Sequence, residues 1–248
     1  MRYFFEIAFN GTHYHGWQIQ DNAISIQQVI QEKLALLTKQ KNVHITGCGR
    51  TDTGVHASQF YFHVDLKEID DLNHFIFQLN NVLPVDIQIK QILRVSNESH
   101  SRFDALSRTY EYRISTTKAP FNQGLVTYIA GDLNIENMSK CCSYLLGKHE
   151  FTSFSKVHTD VNHFFCEVYE AFWSKKNEQI IFTIKANRFL RNMVRAIVGT
   201  MLLVGKEKIS LNEFKKIMDL KDRTKAGPSA KAKGLFLTKV NYPSQIYV

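Results

Sequence analysis

QFYFHVDL, residues Gln59 to Leu66, sets Phe60, Phe62 and Val64 on one face, the two-residue period of a strand with a buried side. Outward from it the period changes in a fixed order. Upstream, Val43 to Thr46 reads as a short strand. Ile26, Val29, Ile30, Leu34 and Leu37 recur at helical spacing, and Arg2 to Phe9 reads as a first strand. Downstream, Leu72, Phe75, Ile76 and Leu79 mark a second helix, and Asp86 to Val95 a closing strand. Strand, helix, strand, strand, helix, strand is the split βαβ arrangement of ferredoxin-like domains, a sheet with helices on one face and the other face open to a ligand.

The second half follows a related grammar. A strand over Arg108 to Ser115 precedes a helix near Met138, Cys141, Cys142 and Leu145. Strands over Phe165 to Trp173 and Gln179 to Lys185 come next, the latter alternating through Ile180, Phe182 and Ile184. A long helix is expected from about Phe189 to Val204, a shorter one over Leu211 to Leu220, and a last strand over Leu235 to Val240. The expected fold class is α+β, two ferredoxin-like (RRM-like) αβ domains with antiparallel sheets, residues 1–104 and 105–248. No Gly/Pro/Ser-rich linker marks the boundary, which falls near Ser101 to Ser107.

A formal charge of +8 favours a polyanionic partner, because lysines and arginines that neutralise phosphates release condensed counterions. Nucleic acid leads, and a basic surface kept for solubility is the alternative. The cysteines, Cys48, Cys141, Cys142 and Cys166, form no CxxC pair and read as reduced structural thiols. MRYFFEIAF lacks the apolar core of a signal peptide, and no run reaches membrane-spanning length. A cytoplasmic protein with no membrane association is expected.

GCGRTDTGVHA, Gly47 to Ala57, stands between two expected strands and is longer than a tight turn requires. Its glycines permit positive φ and close approach to a ligand, so the loop either presents Asp52 to a cleft or is a turn in which Asp52 caps its own backbone. GxGxxG fails at Asp52, and GxxxxGK fails because Val55 follows Gly54. Asp52-Thr53-Gly54 also spells the aspartic-protease triplet, which needs two such loops sharing a proton. A nearby Arg50 opposes that state by holding the carboxylate ionised.

Arg188, Arg191 and Arg195 fall at i, i+3 and i+7 of the expected long helix, a basic stripe that suits phosphates or a carboxylate as well as solvent. Lys221 to Gly234 reads as a basic loop. His13 and His15 form HxH without a third ligand at recognisable spacing. Tyr110, in RTYEYRI, reads from spacing alone as an ordinary strand aromatic.

Seven ordered blocks along essentially the whole chain resemble the TruA-type tRNA pseudouridine synthases. They are FNGTHYHGWQIQ from Phe9, GRTDTGVHA from Gly49, LNNVLPVDI from Leu79, RFDALSRTYEYRI from Arg102, GKHEFTSF from Gly147, ANRFLRNMVRAIVG from Ala186, and AGPSAKAKGLFLTKVNY near the C-terminus. The resemblance implies two αβ domains meeting at a central RNA-binding cleft and a homodimer. It further implies isomerisation of uridine in the anticodon stem-loop of tRNA, without cofactor or metal.

By the same resemblance Asp52 is the essential aspartate, acting covalently or as a base at C2′. Tyr110 is the active-site tyrosine that stacks on uracil and is a candidate to remove the C5 proton. Arg195 is the basic residue paired with the aspartate, and Arg50 the residue linked to displacing the target nucleotide. Arg188, Arg191 and the basic loop are candidates for RNA backbone contacts. Asn10 stands where the family usually has Asp, and Cys48 where Ala is common. The rival reading is a catalytically silent RNA-binding module using the aromatic strand Phe60 to Phe62, although no RNP1 spelling is present.

Overall fold

The computed structural model describes residues 1–156, 162–176 and 178–247. It forms two compact units, Met1–Leu106 together with Phe236–Val248, and Ser107–Leu235. Both mix helices with sheets whose strand pairs are mostly antiparallel.

In the first unit β1 (Arg2–Phe9) lies between β3 (His56–Asp65) and β4 (Ile87–Arg94), antiparallel to both. The far edge of β3 is shared. Its C-terminal half pairs with the two-residue β2 (Thr46–Gly47) through Phe62 and His63, and its start pairs in parallel with β10 (Leu235–Asn241), Phe236 to His56 and Leu237 to Ala57. Residues 48–55 therefore leave the sheet where β2 ends and return where β3 begins.

Alternation along β1 explains the core. Phe5 stacks on Phe62 at 4.8 Å and meets Phe75 edge-on at 6.5 Å. Phe75 lies on α2 (Leu72–Val82), beside which α1 (Ile26–Thr38) packs with Ile26, Ile30 and Leu34 fully buried. Ser25 and Asp71 cap these helices by accepting from the Gln28 and His74 N–H groups.

The opposite face of the sheet, expected to be open, is covered. Phe4, Tyr61 and His63 are buried there, and Tyr242 meets Phe4 and Tyr61 edge-on, each at 5.2 Å. Beneath it Glu6 accepts from the Tyr61 hydroxyl (2.5 Å) and from Lys90 Nζ (2.8 Å). Burial works against the Glu6 carboxylate, but these hydrogen bonds, the Lys90 charge and a hydrogen bond from Gln59 together hold its pKa below the usual range. Phe60 and Phe62 themselves are fully buried on the helix side, so the aromatic strand of the rival RNA-binding reading offers no ring to a ligand.

The second unit orders its strands β5 (Ser107–Ser115), β9 (Gln179–Ala186), β8 (Phe165–Lys176) and β7 (Gly147–Glu150), with β6 (Thr127–Tyr128) parallel to the end of β5. α3 (Ile135–Leu145) packs on β8, α4 (Met193–Gly205) and α5 (Leu211–Leu220). Cys141, Cys142 and Cys166 are buried thiols whose pKa values burial raises.

Three expectations are corrected. The segment from Phe236 onward joins the first unit rather than the second, because β10 pairs with β3. The Val43 to Thr46 strand shrinks to Thr46–Gly47, while Val43 and Ile45 bury their side chains without a ladder. The long helix begins at Met193, not Phe189. Asn192 takes the left-handed conformation (φ 66°), and Asn187 holds its segment to β8 by bonding Glu167 with both its backbone N–H and its side-chain oxygen (3.0 and 2.9 Å).

Candidate active site

The Asp52 loop is gripped by a segment far earlier in the chain. Trp17 N–H donates to the Thr51 carbonyl (3.4 Å), and Gly54 N–H to the Tyr14 carbonyl (3.2 Å). Between those two anchors Gly16 sits at φ +81°, and a Cβ there would collide with the Thr51 carbonyl oxygen. Gly11 is equally constrained by the Val55 carbonyl, and its N–H donates to His56 Nδ1 (3.0 Å). Asp52 itself opens a four-residue turn closed by Val55 N–H to the Asp52 carbonyl (3.1 Å), with Gly54 at φ +74° in the third position, where a type II turn needs it.

The segment that grips is itself anchored. The Tyr14 hydroxyl donates to Asp86 (2.6 Å), and this bond with burial raises the phenol pKa. Trp17 is buried and packs on Phe60 at 4.3 Å, and its indole occupies the space a Cβ on Gly47 would need. Asn10 accepts from the N–H and hydroxyl of Thr12 (3.1 and 2.7 Å) and so caps the short turn Gly11–His13. Cys48 extends the β2 pairing, its N–H donating to the Tyr61 carbonyl at 2.7 Å. The loop's backbone is thus committed while the Asp52 side chain remains half-buried and Arg50 exposed. Thr51 Oγ1, next to Asp52, is buried with no hydrogen-bond partner among the described residues.

In the second unit, Tyr110 lies on β5 opposite Ile184, half-buried, with Phe189 edge-on at 5.0 Å. Tyr112, two residues on, is different in kind. It is fully buried, donates to the Lys231 carbonyl (2.8 Å), and has its pKa pushed to about 12 by burial. Spacing in RTYEYRI does not separate these two tyrosines; their surroundings do.

Arg195 occupies the third position of α4. Its Nε donates to the Ala230 carbonyl (2.8 Å) while Ala230 N–H returns a bond to the Arg195 carbonyl (2.9 Å). Residues 226–230 come this close because Gly199 has no Cβ to strike the Pro228 carbonyl and because Gly227 N–H donates to Thr200 Oγ1 (2.9 Å). The expected basic loop is therefore in part a packed strap. The Arg223 guanidinium is occupied by the Gly227 carbonyl (3.1 Å) and Ser229 Oγ (3.0 Å), and Lys221 pairs with Glu150.

Arg188 and Arg191 are not on a helix with Arg195, so the basic stripe is corrected. Both lie in the turn before α4, Arg188 half-buried with Nη1 3.4 Å from His163 Nε2, and Arg191 exposed. Asp52 and Arg50 share one loop of the first unit; Tyr110, Arg188, Arg191 and Arg195 belong to the second. What sequence reasoning missed is the clamp Gly11, Tyr14, Gly16 and Trp17. The signal was two glycines bracketing THYH inside the FNGTHYHGWQIQ block. Among the described residues no group of three or more His, Cys, Asp or Glu side chains is arranged to hold a metal ion.

Residues 141–243 match the family of tRNA pseudouridine synthases. The chain is 46% identical to the tRNA pseudouridine synthase A of Bacteroides fragilis over 99% of this chain and 98% of that protein. It is 46% identical to that of Parabacteroides distasonis (99% and 98%) and 38% identical to that of Clostridium acetobutylicum (95% and 97%). A mixed α+β fold with largely antiparallel sheets fits the pseudouridine synthase class. Within that class, the chain belongs to the tRNA pseudouridine synthase A family.

Proposed function

We propose that this chain isomerises uridine to pseudouridine in tRNA, with Asp52 as the carboxylate that acts on the target nucleotide. The observation that carries the reading is the clamped loop. Three backbone hydrogen bonds and the glycines Gly11, Gly16 and Gly54 hold the loop that carries one half-buried aspartate, which is the pre-organisation that catalysis by position demands.

The bond changes are self-contained. The N1–C1′ bond breaks, a C5–C1′ bond forms, C5 loses its proton and N1 gains one. No electrons enter or leave, so the reaction needs neither redox cofactor nor group donor. Asp52 acts either by adding to the sugar or base, or by taking the C2′ proton in a glycal route. Tyr110, backed by Phe189, supports the uracil ring and takes the C5 proton, while Arg195 stabilises the aspartate's charge.

Arg50, exposed on the same loop as Asp52, takes the place of the extruded nucleotide, a step that costs a few kcal/mol of unstacking. Arg188 and Arg191 contact phosphates. The anticodon stem-loop as target, a homodimer, a cytoplasmic location, and two ferredoxin-like halves bounding an RNA cleft belong to the same proposal. They rest on the sequence blocks and on the +8 charge.

The test is to incubate the protein with unmodified tRNA transcripts and map pseudouridine, with Asp52→Ala beside wild type. Wild type is expected to modify the anticodon stem-loop, and Asp52→Ala to form none while still binding. Absence of pseudouridine with wild type on every transcript overturns the activity. Full turnover by Asp52→Ala overturns the catalyst. Modification confined to another part of the tRNA overturns the stem-loop.

A further inference from the structure

RFDALSRTYEYRI begins with Arg102 and Phe103, two residues to which the reaction above gives no task. Phe103 is 73% exposed. A single exposed phenylalanine is ordinary on a protein surface, but this one is mounted. The five residues His100 to Asp104 form a turn closed three times. His100 N–H donates to Asp104 Oδ2 (2.7 Å), Asp104 N–H to the His100 carbonyl (3.0 Å), and Arg102 N–H to His100 Nδ1 (3.1 Å).

The turn places the Phe103 ring against the His100 imidazole, 4.2 Å between centroids and tilted by 33°. His100 in turn meets His63 at 4.6 Å, and His63 meets Phe4 in the core at 6.2 Å. A run of rings thus leads from the sheet interior to the surface. Burial keeps both imidazoles below their ordinary pKa, His63 at about 4, so at neutral pH the support is uncharged. The Arg102 guanidinium lies over the Phe103 ring, 5.6 Å from its centroid, and brings a positive charge to an otherwise apolar group.

The mount is tied to the catalytic loop. The Ser101 hydroxyl donates to the Thr46 carbonyl (2.7 Å), and Ser101 N–H to His63 Nδ1 (3.2 Å). Thr46 opens β2, which runs directly into residues 48–55. A rigid ring, an adjacent cation and an anchor on the strand that feeds Asp52 are the parts of a stacking platform for a nucleobase whose phosphate is drawn by the arginine.

We propose that Phe103, backed by His100 and flanked by Arg102, is a stacking platform for an unpaired base of the RNA substrate. The proposal rests on the tRNA reading above. A protein partner is disfavoured by the guanidinium at the ring and by the chain's +8 charge; a phosphodiester chain satisfies both.

The experiment uses the full chain and an unmodified tRNA transcript, with single 2-aminopurine substitutions in its unpaired loop nucleotides. Wild type, Phe103→Trp, Phe103→Leu and Phe103→Ala are compared for tRNA Kd, 2-aminopurine quenching, thermal midpoint, association state and pseudouridine formation. Phe103→Ala is expected to weaken binding about ten-fold, within the usual worth of one base on one aromatic ring. Phe103→Trp is expected to keep affinity and deepen quenching at one nucleotide. Phe103→Leu, apolar but not flat, is expected to resemble alanine, and all four are expected to share one thermal midpoint because the ring is exposed.

If wild type forms pseudouridine but Phe103→Ala binds within two-fold of it, the platform is wrong and the activity stands. Leucine matching phenylalanine would replace stacking by simple apolar contact and overturn the proposal. A change in association state with unchanged tRNA affinity would assign the ring to a second copy of the chain instead. If wild type makes no pseudouridine and does not bind the transcript, the activity fails first and the platform falls with it.

Discussion

Replacing Gly16 by alanine tests whether the clamp on the Asp52 loop is what positions the carboxylate. Two costs add at this residue. A non-glycine side chain at φ +81° pays roughly 1–2 kcal/mol for the left-handed conformation. The new methyl group also collides with the Thr51 carbonyl, and relieving such an overlap in a packed region costs about 1–3 kcal/mol. The second cost is the informative one, because the only ways to relieve it displace either the Tyr14 to Trp17 segment or Thr51, whose peptide neighbour is Asp52. A displacement near 1 Å at a reacting group lowers turnover by about 100-fold.

Gly131 supplies the control. Its φ is +87° and nothing lies within 4 Å of a Cβ built there, so Gly131→Ala pays the backbone cost alone. The assay is release of tritium from C5 of labelled uridine in a tRNA transcript, read at saturating substrate and well below each variant's thermal midpoint, with Kd for tRNA and urea unfolding measured in parallel. Gly16→Ala is expected to lose about 2–5 kcal/mol of stability and about two decades of kcat, with tRNA Kd nearly unchanged. Gly131→Ala is expected to lose stability only. Wild-type kcat in Gly16→Ala would refute the clamp as a positioning device, and equal kcat losses in both variants would show that the effect is general destabilisation.

Two further outcomes follow from the first unit's buried polar groups. His63 has its pKa lowered from 6.5 to about 4, chiefly by burial; the unfolded chain therefore takes up a proton that the folded chain refuses. Stability is expected to be complete above pH 6.5 and to decline toward pH 4 by no more than about 3 kcal/mol. In His63→Asn the urea midpoint should fall less over that window, and an identical slope in the variant would exclude His63 as the cause. Tyr61→Phe removes one of the donors that keep Glu6 ionised and is expected to cost about 1–3 kcal/mol at pH 7. Because the Glu6 pKa is depressed in the folded state, that stabilisation is present above the ordinary glutamate pKa and disappears as pH falls through the lower folded value. A Tyr61→Phe deficit that persisted undiminished at acid pH would contradict it.

Local patterns were legible where a single element decided its own fate. RYFFEIAF forms a strand over the expected residues, and Leu211 to Leu220 forms a helix whose Ser210 and Glu213 make a capping box. Long-range choices were not. Leu235 to Asn241 announces a strand by composition, yet its parallel pairing with His56 and Ala57 depends on register between segments about 180 residues apart, for which no local signal exists. The start of α4 misled for another reason. Phe189, Leu190, Met193 and Val194 continue the helical period, but Asn187 ties the segment to Glu167 and Asn192 takes the left-handed conformation, so the helix starts only at Met193. In GKHEFTSF nothing in the spelling announces that the buried Ser153 hydroxyl donates to the Ile217 carbonyl (2.5 Å).

The candidate site shows the same division, and in a way that bears on function. Asp52 was visible because three glycines surround it, and glycines report backbone geometry directly. Tyr110 and Arg195 were visible only by resemblance, because a strand tyrosine and a helix arginine are each compatible with plain structure. The start of α4 adds one structural oddity at Arg195. A cation in the first turn of α4 faces the positive end of the helix dipole, an arrangement that costs stability rather than adding it, and Asn192, at φ 66°, makes no side-chain cap while its amide N–H donates to Ser229 Oγ (2.6 Å). Thr51 buries a hydroxyl without a partner among the described residues, and Gly16 holds a conformation that only glycine adopts cheaply. Places where a chain departs from its own structural rules are where selection for stability has yielded to another demand. In this chain such departures occur beside Asp52 and at the start of α4, but also at Trp173, whose buried indole N–H has no partner among the described residues, and at Lys39, Glu178, Glu207 and Lys221, each at positive φ. Departures from structural rules therefore do not single out a site by themselves; the close glycine geometry around the Asp52 loop marks that loop, and the roles of Tyr110 and Arg195 stay with the resemblance.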